Sequence, residues 1–187
     1  VFQHPLLLSA LSLDMFAVLF GGVVAMLPIY AAEILHMGPE ALGWLRAAPA
    51  AGAILMSIYL IRKPITKHAG SALLWSVFGF GLCILVFGIS KSFWLSFAAL
   101  ALSGALDAVS MVIRGAIVQL CSPEEMRGRI AAVNSIFIGS SSEIGQFESG
   151  VAAKLLGTVN SVLFGGAMTL VTVAFVFLRS KRLRSLN

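Results

Sequence analysis

The sequence has very little charge for its length. Only 11% of its 187 residues are Asp, Glu, Lys or Arg, whereas 59% are hydrophobic. A soluble domain of ordinary composition carries roughly 25% charged residues. So few charged side chains cannot cover the surface of a water-soluble domain of this size, and the mean hydropathy of +0.97 agrees. The high fraction of apolar residues excludes a disordered chain.

Cysteine and histidine are equally scarce. The two cysteines, Cys83 and Cys121, lie far apart in apolar surroundings and cannot form a disulfide framework. The three histidines, His4, His36 and His68, are isolated near the ends of apolar stretches. The H-E-x-x-H, G-x-S-x-G and P-loop motifs are absent, and no nucleophile stands beside a base. We therefore expect no metal, no cofactor and no enzymatic activity.

What the chain does have is long apolar runs. A transmembrane helix needs about 20 apolar residues to cross a hydrocarbon core of about 30 Å. Six such blocks succeed one another, over residues 5–32, 40–61, 71–89, 93–120, 130–156 and 161–178. The sequence predicts an all-α membrane protein, with one domain of six transmembrane helices over residues 1–187. The third and sixth blocks are apolar all round and are expected to face lipid.

The basic residues predict the orientation of the bundle. Nine of the 13 lie in the connections 62–67 and 127–129 and in the tail 179–184, all on one side of a six-span bundle. The other side has Lys91 alone. Lys and Arg accumulate in cytoplasmic loops, so both termini are predicted to be cytoplasmic. A nucleic-acid partner is not expected, because these residues flank membrane spans rather than a soluble surface.

Six ionisable residues lie well inside the apolar blocks; Lys154, near the end of the fifth block, can reach the membrane interface and is not counted among them. The six are Asp14, Arg46, Asp107, Arg114, Glu143 and Glu148. Each charge near the middle of a bilayer costs at least about 2.5–3.5 kcal/mol on insertion scales. These side chains must therefore pair with one another or contact water. On the fourth block, one helical face carries Ser103, Asp107, Ser110 and Arg114.

The fifth block has a second polar face. Asn134, Ser141 and Glu148 share it, whereas Glu143 points about 140° away from Glu148.

Small residues four apart, at Ala48 and Gly52 and at Gly145 and Ser149, predict close approach of neighbouring helices. Pro28 and Pro49 lie inside apolar blocks and permit kinks.

Two interpretations of the buried charges remain open. In one, they are structural ion pairs that lock helices together; in the other, they line a polar pathway in which some residues titrate. Burial favours the protonated form of a carboxyl group, and a basic neighbour favours the ionised form. A carboxyl group whose surroundings alternate could therefore carry a proton across the membrane. Asp107, near the middle of the fourth block, and Glu148 in the fifth block are the first candidates.

Three segments resemble a known family. The loop 123–129 reads P-E-E-M-R-G-R, continues as I-A-A-V-N, and resembles the P-x-E-x-R-G-R-[IV] signature of the major facilitator superfamily. Segments 137–150 and 43–53 are similar to its enterobactin-exporter-like efflux branch. The loop 62–70 departs from the family because it lacks the D-R-x-G-R-R pattern.

The resemblance implies a fold and a function. The family is built from two six-span halves, each an inverted repeat of three plus three helices, with the substrate site between the halves. This chain matches only the second half, and its start at Val1 rather than Met agrees with a C-terminal half. In the loop motif Arg127-Gly128-Arg129, the resemblance gives the two arginines the role of holding the cytoplasmic helix ends together, and topology anchoring explains them nearly as well.

The function expected from the resemblance is secondary active transport in a bacterial inner membrane. Its form would be proton-coupled export of a small amphipathic molecule, such as a siderophore or drug, by alternating access. The expected partners are the lipid bilayer, the substrate, protons, and the missing N-terminal half or a second copy. Two alternatives stay open: a membrane enzyme or assembly subunit that acts on a lipid, and a structural half without transport activity.

Overall fold

The computed structural model describes residues 15, 22–64, 69–121 and 127–179. Within these residues every regular element is helical, which confirms the all-α prediction. The helices are named here α1 (Val23–Ile34), α2 (Pro39–Arg62), α3 (Ala69–Ile89), α4 (Phe93–Cys121), α5 (Arg127–Leu156) and α6 (Thr158–Arg179). Most of the first predicted block, before residue 22, lies outside the described residues.

Four of the helices, α2, α3, α4 and α6, are long and apolar enough to cross a membrane. Helix α5 has 30 residues, about 45 Å at 1.5 Å per residue, so its length also suffices. Its composition is more polar, with the run Ser140–Ser141–Ser142–Glu143 near its middle. The helices thus support a multi-pass membrane protein, while the count of six spans stays a prediction.

Helix α3 lies in the middle of the bundle and packs against both α4 and α6. Half of its apolar stretch is buried inside the structure. The opposite side of the helix is exposed and apolar, with Trp75, Val86 and Ile89. The third block, expected to face lipid, therefore buries one side in the bundle and exposes the other. Its uniform apolarity reflects one face in the bundle core and another turned outward.

Helices α2 and α4 are in direct backbone contact. A Cβ atom added at Gly52 would lie 1.7 Å from the carbonyl oxygen of Ala101. A Cβ atom added at Gly104 would lie 2.0 Å from the carbonyl oxygen of Pro49. Each helix thus needs a glycine where the other helix presents its main chain. One of these residues, Gly52, belongs to the small-residue spacing that the sequence predicted for close approach.

Helix α1 changes pitch along its length. It begins as a 3-10 turn (Val23–Met26), continues as an α-turn (Leu27–Ile29) and ends as a wider π-turn (Tyr30–Ile34). Pro28 has no N–H to donate, and its ring restricts the preceding turn, which accounts for the irregularity. The helix closes at His36, whose φ of 50° lets the next residue's N–H reach back to the Ala31 carbonyl at 2.9 Å.

Tyr30 anchors the end of α1 to the turn between α3 and α4. Its side chain is fully buried, and its ring lies 4.3 Å from that of Phe87, centre to centre. Its hydroxyl donates to the carbonyl oxygen of Phe87 at 2.6 Å, with the carbonyl of Ser90 also in reach. The last carbonyls of a helix lack partners within the helix. The phenol therefore satisfies the end of α3 while it positions α1.

Candidate functional site

The predicted polar face of α4 is enclosed by the bundle. Ser103, Ser110 and Arg114 are only 3%, 2% and 4% exposed, and Asp107 is half-buried. They belong to a helix that is otherwise apolar enough to span a membrane. The structure thus places two ionisable side chains, two turns apart, on the inward side of a candidate membrane helix. We call these four residues the α4 stripe.

The two serines of the α4 stripe differ in their hydrogen bonding. The Ser103 hydroxyl donates to the carbonyl oxygen of Leu100 at 2.8 Å, so its own helix satisfies it. The Ser110 hydroxyl oxygen has no hydrogen-bond partner among the described residues, although it is buried. Buried polar groups in native proteins are nearly always hydrogen-bonded. Ser110 is therefore a position on the stripe where a further polar group can be accepted.

A stripe of small residues joins α5 to α1 and α6. Ser141, Gly145 and Ser149 are buried at four-residue spacing. A Cβ atom added at Gly22 would lie 2.6 Å from the Ser149 hydroxyl oxygen and 2.7 Å from the Gly145 carbonyl oxygen. The Ser161 hydroxyl at the start of α6 donates to the Ser149 carbonyl at 3.0 Å. Ser141, predicted as part of the pathway, is thus the first member of a packing stripe.

Glu148 lies at the edge of the packed face of α5. It is half-buried and lines a groove of about 430 Å³ on the outward side of the helix. The other residues that line this groove are apolar: Ile144, Phe147, Val151, Ala152, Leu155 and Leu156. One carboxyl group in such a groove gives an amphipathic surface. A molecule with an apolar body and a polar group would fit that surface chemically.

The remaining predicted residues are dispersed. Arg46 on α2 and Glu143 on α5 are exposed, and Asn134 is half-buried. Asp14 lies outside the described residues. Helices α4 and α5 touch only slightly within the described ranges, so Asp107 and Glu148 lie on helices that share almost no interface. The structure thus gathers the α4 stripe but does not bring all the predicted charges to one point.

The arginine loop motif reaches the first residues of α5. Arg127 is the first residue of the helix, and Gly128 and Arg129 are exposed beside it. A Cβ atom added at Gly128 would meet nothing within 4 Å. Basic side chains are not favoured at a helix N-terminus, where the backbone dipole is positive. The helix dipole therefore does not explain why arginines lie at the start of α5. Contact with a membrane surface or with a partner segment would explain them.

Sequence reasoning missed a cluster of hydroxyl groups at the other end of the bundle. Ser96 is fully buried, and its hydroxyl donates to that of Ser90 at 3.0 Å. Ser90 is also the residue whose carbonyl lies in reach of Tyr30. One feature of the sequence could have indicated this cluster. Ser96 lies seven residues before Ser103 and is therefore on the same face of α4.

Comparison with known proteins identifies the family. The profile of a group of major facilitator proteins described as transmembrane secretion effectors matches residues 6–187. The chain belongs to that family. The resemblance seen in the loop 123–129 and in segments 43–53 and 137–150 is thereby confirmed, and with it the prediction of a major facilitator protein embedded in the membrane.

Two relatives of the chain are named as exporters. The enterobactin exporter EntS of Shigella flexneri is 32% identical over 136 residues, which cover 68% of this chain and 33% of the relative. The EntS of Citrobacter koseri is 31% identical over 142 residues, which cover 68% of this chain and 34% of the relative. The chain spans about a third of the length of these curated relatives.

Proposed function

We propose that the chain is the C-terminal half of a twelve-span secondary transporter in a bacterial inner membrane, with both termini cytoplasmic. Its activity would be export of a small amphipathic molecule, such as a siderophore or drug, in exchange for protons. The exporter relatives support the direction and the substrate class. Family membership favours transport over catalysis, so we do not propose an enzymatic reaction.

The α4 stripe is the observation that carries this proposal. Helix α4 is apolar enough to cross a membrane over Phe93–Gln119, yet it buries Arg114 and half-buries Asp107. At about 2.5–3.5 kcal/mol per charge, such residues persist in membrane helices chiefly where they pair or line a pathway for ions or substrate. Proton exchange needs a carboxyl group whose surroundings can change, and the half-buried Asp107 is our candidate for that group.

The outward surface of α5 supports the amphipathic substrate. The groove beside Glu148 combines aliphatic and aromatic walls with one carboxyl group. Binding sites for small molecules commonly have this composition, apolar overall with a few well-placed polar groups. Helix α2, of which only 22% of the apolar stretch is buried, offers a second wide surface for the missing half and the substrate.

The two alternatives make different predictions. A membrane enzyme that acts on a lipid needs a nucleophile activated by a base, and among the described residues neither serine of the α4 stripe is hydrogen-bonded to Asp107. A structural half would use Asp107 and Glu148 only to hold helices together. In that case neutral substitutions of these two residues would change the stability of the protein and leave the coupling of transport to protons intact.

The test is proton-driven uptake into inside-out vesicles by the full-length protein. Enterobactin and the fluorescent amphipathic cation ethidium serve as probes. We expect Asp107→Asn and Glu148→Gln to abolish uptake driven by a pH gradient while the protein stays folded and inserted. Glu33→Gln is the matched control, because Glu33 is exposed at the end of α1. Unchanged coupling in both variants would contradict the proposal.

A further inference from the structure

We propose that the Ser110 hydroxyl is a binding position for one neutral oxygen group, a water molecule or a substrate hydroxyl, held between Asp107 and Arg114. The inference deepens the transport function proposed above and rests on it for its role in the cycle. The position itself rests on the hydrogen bonding of the described residues. This hydrogen bonding distinguishes Ser110 from Ser103, the other serine of the α4 stripe.

Several other hydroxyl groups in the described helices behave differently from that of Ser110. In a helix, a buried serine or threonine commonly donates to a carbonyl three or four residues earlier. Among the described residues, several side chains do so at 2.7–2.9 Å, including Ser76, Ser103, Thr169 and Thr172. Ser110 is only 2% exposed, yet its oxygen has no partner in the part of the chain that the structure describes. Its hydroxyl is therefore available to a group from outside the helix.

The neighbours of Ser110 define what that group can be. Asp107 lies about 4.5 Å earlier along the helix axis and Arg114 about 6 Å later, on the same face. A carboxylate accepts hydrogen bonds, whereas a guanidinium only donates them. Asp107 would repel an anionic group, and Arg114 would repel a cationic one. A water molecule or a hydroxyl group, which both donates and accepts, is the chemistry that suits all three side chains.

The half-buried Asp107 gives a small polar group a route from the surface to the Ser110 hydroxyl. Because part of Asp107 is exposed, the stripe opens to the surface within one turn of Ser110. A small polar group can thus reach the hydroxyl without unpacking the bundle. Ser76 on α3 lacks this arrangement, since it is 5% exposed and already donates to the carbonyl of Ala72 at 2.7 Å. Ser76 is therefore the matched control for Ser110.

Cysteine labelling tests the position without any transport. In the full-length protein, with Cys83 and Cys121 replaced by alanine, Ser110→Cys and Ser76→Cys are exposed in membranes to a small water-soluble methanethiosulfonate. We expect the cysteine at 110 to react at least several-fold faster than the cysteine at 76. Equal rates would overturn the proposal. This result does not depend on the transport function, so the two can fail separately.

Transport assays then distinguish the two sources of the oxygen group. We expect Ser110→Ala to lower proton-driven uptake several-fold, Ser110→Thr to restore it, and Ser76→Ala to leave it unchanged. A loss confined to proton-driven uptake, with substrate exchange in the absence of a gradient intact, identifies water. A loss in both assays identifies a substrate hydroxyl. Full activity of Ser110→Ala in both assays would overturn the proposal.

Discussion

The contact between α2 and α4 gives the sharpest prediction about stability. Gly52→Ala would place a Cβ atom 1.7 Å from the Ala101 carbonyl oxygen, and Gly104→Ala would place one 2.0 Å from the Pro49 carbonyl oxygen. Ordinary contacts lie at 3.4–4 Å. The helices would have to separate by roughly 1.5 Å at this level, and because the obstacle is backbone, no side chain can turn aside.

The expected cost can be worked out from this displacement. Overpacking a well-packed core costs about 1–3 kcal/mol, and a clash with backbone belongs at the upper end of that range. Alanine is favoured over glycine in a helix by up to about 1 kcal/mol, which offsets part of the cost. We expect each variant to lose about 2 kcal/mol of unfolding free energy. The double variant should lose less than the sum, because both changes open the same contact.

The assay is unfolding of the purified full-length protein by SDS, monitored by circular dichroism. The matched controls are Gly43→Ala on α2 and Gly115→Ala on α4, since a Cβ atom at either position meets nothing within 4 Å. These controls should be as stable as the parent or slightly more stable. If Gly52→Ala and Gly104→Ala unfold at the same SDS fraction as their controls, the inferred backbone contact does not exist.

Two further predictions concern α1. Tyr30→Phe removes the hydroxyl that donates to the Phe87 carbonyl and should cost about 1–3 kcal/mol in the same SDS assay. Tyr59→Phe, at an exposed position on α2, should cost nothing, and an equal loss in both would refute the anchoring role. His36→Gly should stabilise the protein by about 1 kcal/mol, because φ of 50° favours glycine; a lower unfolding midpoint would contradict this.

Much of the helical architecture could be read from apolar runs and the residues that interrupt them. Helix α2 begins at Pro39, directly after Gly38, and ends where Arg62 and Lys63 close the apolar run. Proline at the first helical turn and charge at the membrane edge are local signals that need no knowledge of neighbours. The polar face of α4 could be read in the same way from the spacing of its residues.

The features that could not be read depend on contacts between distant segments. Ser103 and Ser110 are the same residue type on the same face, and only their side-chain orientation decides that one is satisfied and the other is not. The anchoring of Tyr30 depends on the carbonyls of residues 57 or more positions away. The close approach of Gly22 to Gly145 and Ser149 depends on α5, which the sequence around α1 does not contain.

The packing separates the two candidate carboxyl groups. Helix α4, with Asp107, is fixed to α2 by backbone contact, whereas α5, with Glu148, is joined to α1 and α6 through Ser149. Because α4 and α5 touch only slightly within the described residues, a shift between them would alter the surroundings of both carboxyl groups without opening the glycine contact. Changes at Gly52 should therefore lower stability, and changes at Asp107 should lower coupling. If Asp107→Asn instead unfolded the protein, the charge would be holding the bundle together, and the structural alternative would stand.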